Sequence, residues 1–126
     1  MNAVNKKFKE ELVGIGVRRK KYGKIPFTSM SLNYLTRGGI PRGVLIEFSG
    51  AEGSGKSTSS LDLVGNAQRI FEQEWQDEIK ALEEMPKRNK TQEEELRTLK
   101  LLGAKKVVYI DVENTLDEDW ATTLGV

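Results

Sequence analysis

The sequence predicts an α/β fold, a parallel sheet with helices on its faces, and three observations predict it. Val44-Leu45-Ile46-Glu47-Phe48 and Val107-Val108-Tyr109-Ile110-Asp111 are short apolar runs that read as strands buried in a sheet. From about Ser57 to about Glu84, Leu61, Val64, Ala67, Phe71, Trp75, Ile79 and Leu82 recur in steps of three or four, the period of one helix face. Between the first run and that helix lies Gly50-Ala51-Glu52-Gly53-Ser54-Gly55-Lys56-Ser57, which fits the Walker A pattern G-x-x-x-x-G-K-[ST]. A match by chance in a chain this short is on the order of one in a few hundred. The expected class is therefore a P-loop NTPase.

Each residue type in the loop has a chemical reason. Gly50, Gly53 and Gly55 admit backbone conformations closed to other residues and leave room for phosphates. Inward-pointing amides then form an anion nest at the positive end of the following helix. Lys56 would reach the β- and γ-phosphates, the Ser57 hydroxyl would ligate Mg²⁺, and Thr58 would place a hydroxyl near the α-phosphate. The plain alternative, a flexible Gly/Ser linker, does not come flanked by an apolar run and an amphipathic helix.

Upstream of the loop, residues 1–24 form a basic arm. Lys6, Lys7, Lys9, Arg18, Arg19, Lys20, Lys21 and Lys24 oppose only Glu10 and Glu11 there. Such an arm suits nucleic-acid phosphates, a solvated tail, or, through Val4, Phe8 and Leu12 at helical spacing, a short docking helix ended by Gly14 and Gly16. Ser29 or Ser31 then caps a short helix carrying Leu32 and Leu35. Arg37-Gly38-Gly39-Ile40-Pro41-Arg42-Gly43 is a turn, with three glycines and a proline in seven positions.

Downstream, Pro86 ends the long helix, and Thr91 with Glu94 forms a capping box that opens a second one. Leu96, Leu99 and Leu102 line its inner face and Gly103 stops it. Residues 72–103 are thus a highly charged helical hairpin, either a solvated insertion or a surface for a partner or DNA. The run Val107 to Asp111 ends in a carboxylate. In a parallel sheet, Asp111 and Glu113 would project toward the ligand edge. Glu113 would then polarise the water that attacks the γ-phosphate. Asp111 is open to two readings, a Walker B ligand of Mg²⁺ or a strand-end cap of the next turn.

Composition removes other chemistries. The 126 residues are 37% apolar and 31% charged, enough for one domain at most. No cysteine and no histidine means no disulfides, thiol nucleophiles, imidazole bases or His/Cys metal sites. No run approaches a membrane span and residues 1–7 lack a signal-peptide core, so no membrane association and a cytoplasmic location are expected.

Several separated segments together resemble the ATPase core of the RecA recombinases. They are Ser29-Met30-Ser31-Leu32-Asn33, Arg37 to Gly43, Gly50 to Thr58, Asp111-Val112-Glu113-Asn114-Thr115-Leu116-Asp117, Trp120-Ala121 and Leu124-Gly125-Val126. The resemblance covers about 25–71 and 104–126 and implies an N-terminal part of a RecA-like core over 25–126, with 72–103 as a hairpin insertion of phage or mobile-element type. It implies that Gly50, Ala51, Glu52, Gly53, Ser54, Gly55, Lys56, Ser57 and Thr58 bind ATP and Mg²⁺, and that Lys56 and Glu113 are catalytic. Asp117 and Trp120 fall where the family contacts adenine, Trp120 replacing the tyrosine usual in bacterial members.

For the complete protein, the resemblance implies a DNA-dependent ATPase that forms a filament on single-stranded DNA and exchanges strands in recombination and repair. The family core continues past Val126 with the Walker B strand and DNA-holding loops, so the chain is expected to be a truncated, N-terminal part that binds nucleotide with little turnover. Two other readings are a RadA-like or hexameric helicase-type motor and a non-catalytic nucleotide-binding module.

Overall fold

The computed structural model describes residues 23–126. The basic arm and its Val4, Phe8 and Leu12 spacing lie outside the described residues, except for Gly23 and Lys24. The elements are β1 (Lys24–Ile25), α1 (Met30–Leu35), β2 (Ile40–Pro41), α2 (Lys56–Glu83), α3 (Lys90–Leu102) and α4 (Glu118–Thr123).

The expected parallel sheet is not formed, and the α/β, P-loop NTPase assignment is corrected accordingly. The described chain is mostly helical, and its one sheet is an antiparallel pair that sets Lys24 opposite Pro41 and Ile25 opposite Ile40. Residues 44–48 and 107–111 run without ladder partners. Leu45 is fully exposed, and Val108 and Ile110 are 81% and 80% exposed. The physical reason is that β-branched runs favour extended backbone, whereas a strand exists only where a neighbour satisfies its N–H and C=O groups. That partner is a tertiary property, invisible to a local pattern.

The β1–β2 pair and α1 form one unit. Ser29 Oγ accepts the Leu32 amide at the start of α1. At its other end, Lys24 Nζ donates to the carbonyls of Thr36 and Arg37, both at 2.8 Å, a cation on the negative pole of the helix. Gly39 passes so close to the Ile25 carbonyl that a Cβ would overlap it, and its φ of 106° is a glycine conformation. Asn33 clasps Phe27 reciprocally, accepting its amide at 2.7 Å and donating to its carbonyl at 2.5 Å.

This unit packs on α2. Among the described residues, Phe27, Leu61, Ala67, Leu82 and Ala121 are the buried apolar side chains, and Phe27 meets Phe48 edge to face with centroids 6.4 Å apart. The Thr28 amide donates to Asp62 Oδ2 at 2.9 Å, and Arg42 reaches Glu74 through Nη1 at 2.8 Å while its guanidinium lies over the Phe71 ring. On another part of α2, Gly65 lets α4 approach: a Cβ there would stand 2.9 Å from the Gly125 carbonyl oxygen.

The long helix ends at Glu83, and the hairpin turn that follows is tightly bonded. Arg88 Nη1 donates to the Leu82 and Glu83 carbonyls at 3.0 and 3.2 Å, satisfying groups that the helix end leaves open. The capping box of α3 is Asn89 with Gln92, two residues before the expected Thr91 and Glu94. Asparagine accepts the N3 amide as well as threonine does. The Trp75 indole donates to the Leu99 carbonyl at 2.8 Å, and Gly103, with φ 71°, closes α3. Leu96 and Leu99 are half-buried as expected, but Leu102 is 70% exposed.

Candidate functional site

The Gly50–Ser57 segment runs into the first turn of α2, and two of its three glycines, Gly50 not among them, adopt the left-handed backbone that a Cβ disfavours. Gly53 and Gly55 have φ of 72° and 84°. Gly55 is the N-cap of α2, so no side chain caps this 28-residue helix, and its first turn carries no acidic residue. The first helical bond runs from the Ser59 amide to the Gly55 carbonyl at 2.9 Å. Helix geometry leaves the amides of Lys56, Ser57 and Thr58 free for a ligand at the positive end of the helix. These are the donors an anionic phosphate needs.

Lys56 folds back over this loop. Its Nζ donates to the carbonyls of Gly50 at 2.9 Å and Ala51 at 2.7 Å, while the Ser54 amide donates to the Ala51 carbonyl at 3.2 Å. The ammonium is therefore held at the loop by neutral carbonyls, an arrangement that a phosphate oxygen can replace with a charge-assisted bond. Glu52, Ser57 and Thr58 are exposed. Among the described residues no cluster of three or more acidic, histidine or cysteine side chains could hold a metal by itself. A lone Ser57 hydroxyl suits a cation carried in by phosphates rather than one held by the protein.

The remaining sequence-expected residues lie apart from the loop. Asp111 is spent on its own turn: Oδ1 accepts the Glu113 amide at 3.2 Å and Oδ2 the Leu116 amide at 2.7 Å, around Asn114 with φ 53°. That is the turn-capping reading of Asp111. Glu113 is exposed, and Asp117 caps α4 by accepting the Trp120 amide at 2.9 Å. The Trp120 side of α4 is open, the residue being 46% exposed. Among the described residues, no hydrogen bond or ion pair joins Glu113, Asp117 or Trp120 to the loop.

The sequence reading missed a cavity of about 340 Å³ beside the first turns of α2. Thr58, Ser59, Asp62, Leu32, Thr123 and Leu124 are among its lining. The available signal was helical spacing, since Thr58 and Asp62 are one turn apart on the same face. Nothing local announced that α1 and α4 would close its other sides.

Curated relatives supply the family. Protein RecA of Nocardioides sp. is 33% identical over 103 residues, which are 81% of this chain and 20% of that protein. Protein RecA of Rhodococcus opacus is 32% identical over 115 residues, covering 90% of this chain and 23% of the relative. For Protein RecA of Mycobacteroides abscessus the identity is 48% over 109 residues, 86% of this chain and 22% of the relative. This chain is a RecA relative. It spans about a fifth of the length of the curated RecA proteins it matches. No family model and no solved structure matches it. Among the described residues of this RecA relative, no helix is long and apolar enough to cross a membrane.

Proposed function

We propose that this chain is the nucleotide-phosphate-binding part of a RecA-like recombination and repair ATPase. The observation that carries the proposal is the uncapped start of α2, where Gly55 at φ 84° presents first-turn amides beside Lys56 in a chain with RecA relatives. The amides of Lys56, Ser57 and Thr58 and the Lys56 ammonium bind the phosphates of ATP, and Ser57 Oγ adds a ligand to its Mg²⁺. Mg-ATP, held by these residues, would supply the anionic phosphates and a divalent cation. Lys56 moves its ammonium from the Gly50 and Ala51 carbonyls to phosphate oxygens. Trp120 offers an exposed ring for stacking of the base, and Asp117 stands at the start of the same helix.

In the complete protein, Glu113 orients and polarises the attacking water, single-stranded DNA is the polymer bound, and assembly is a filament of like subunits. Residues 25–126 then act as the N-terminal part of that ATPase, with 72–103 as a hairpin insertion and 1–24 as a basic arm. A second reading, a module that binds nucleotide without turnover, is favoured by the exposure of Glu113 and by the absence of any bond from it to the loop among the described residues. Isothermal titration of the full chain with Mg-ATP tests the binding claim. Heat on binding that disappears in Lys56→Ala supports it, and equal affinity in the two proteins sinks it.

A further inference from the structure

The hairpin is acidic along its length but not at its tip. Between Glu72 and Gly103 it carries nine Asp and Glu and six Lys and Arg, yet residues 85–92 (Met85-Pro86-Lys87-Arg88-Asn89-Lys90-Thr91-Gln92) hold three basic residues and no acidic one. All eight are exposed except half-buried Gln92. The tip stands at the opposite end of α2 from the Gly50–Ser57 loop, across 28 helical residues or about 42 Å.

Its shape is set by bonds rather than left to a loose loop. Arg88 closes the end of α2, Asn89 and Gln92 open α3, and Gln92 Nε2 also reaches Met85 Sδ at 3.5 Å. The carboxylates just before the tip are engaged elsewhere, Glu83 with Lys100 and Glu84 with Lys80. Lys87 and Lys90 form no ion pair among the described residues. Glu93 sits in the first turn of α3, where the helix dipole offsets its charge. Glu94 and Glu95 follow about a turn beyond Lys90 and oppose an anion, which confines the favourable field to the tip itself.

We propose that this tip, through Lys87 and Lys90, contacts the phosphate backbone of a nucleic acid. The chemistry of the tip favours that polymer over an acidic protein. A protein interface needs a buried apolar or aromatic centre, and the tip offers only Met85 and Pro86. A phosphate backbone needs only cations at the right spacing, because counterion release drives its binding. The choice of nucleic acid rests on the recombination reading above, whereas the tip as the point of contact rests on the charge pattern.

The test measures binding of the full chain to a fluorescent oligothymidylate across a salt series, comparing wild type with Lys87→Gln/Lys90→Gln and with Lys87→Arg/Lys90→Arg. Far-UV circular dichroism of each variant confirms equal helicity. The expected result is a several-fold weaker complex for the Gln pair, a salt slope lower by about 1.4, at roughly 0.7 per lost phosphate contact on single strands, and restored binding for the Arg pair. An unchanged slope in the Gln pair overturns the proposal. So does a wild-type chain that ignores the oligonucleotide, or one that binds polyglutamate as well as it binds DNA. Mg-ATP titration of the same samples keeps the two readings apart: loss of nucleotide binding with the salt slope as expected removes the ATPase reading and leaves the tip.

Discussion

The indole N–H of Trp75 donates to the carbonyl oxygen of Leu99 at 2.8 Å, fastening α3 along α2 at mid-hairpin. The same carbonyl also accepts the Gly103 amide at 3.0 Å where α3 ends, so the indole adds a second bond to an oxygen that has two lone pairs. It adds a polar contact to the apolar seam of the hairpin, where Leu82 is buried and Ile79, Leu96 and Leu99 are half-buried. Trp75→Phe keeps an aromatic ring and removes the donor. It should lower stability by about 1 kcal/mol, seen as an earlier urea midpoint for loss of helicity, and an unchanged midpoint would mean the bond contributes nothing.

Gly55 links the fold to the proposed site. Its φ of 84° places it in the left-handed region, and it is also the N-cap of α2. Gly55→Ala meets no steric neighbour within 4 Å, so its cost is purely conformational, about 1–2 kcal/mol. Phosphate binding should weaken with it, because the loop would have to relax away from the shape that frees the first-turn amides. Equal tripolyphosphate affinity in wild type and Gly55→Ala would show that this conformation is not the binding one.

Asp117 and Trp120 separate a structural role from a binding role. Asp117→Ala removes the cap of α4 and should cost about 1 kcal/mol, whereas Asp117→Asn keeps a side-chain acceptor and should retain the helix. Trp120→Ala should weaken ATP several-fold and leave tripolyphosphate unaffected, since only the base can stack. If both ligands weaken together, the ring supports the loop rather than the base.

Glu113 is exposed and bonds to nothing at the loop, so Glu113→Gln should leave ATP affinity within twofold of wild type. Any phosphate release by the full-length protein should fall at least a hundredfold in the same variant. Turnover that survives the substitution would place the water-orienting role on another residue.

What could be read from the sequence was local. The period of Leu61, Ala67 and Leu82 set the limits of α2 to within a residue, Ser29 was among the expected caps of α1, and of Gly50, Gly53 and Gly55, where unusual backbone was expected, the last two have positive φ. What escaped was non-local or ambiguous. Leu45 and Ile110 sit in runs that favour extended backbone, but ladder pairing depends on residues far away in the chain, and neither run joins a ladder among the described residues. Asp117 was expected only as an adenine contact, through the family resemblance; that it also accepts the Trp120 amide and caps α4 went unread, although its place three residues before Trp120 allows it. The cavity beside Thr58 and Asp62 needed α1 and α4 to be in place before it existed.

The most direct test of the central claim is calorimetric titration of the full chain with Mg-ATP, run beside Lys56→Ala at matched helicity. Lys56 Nζ lies on the loop carbonyls and is the only lysine of the Gly50–Ser57 segment. The account predicts saturable binding by wild type and a loss of at least tenfold in affinity for the variant, the effect expected when a charge-assisted phosphate contact is removed. Identical isotherms for the two proteins, or no binding by wild type, would contradict it.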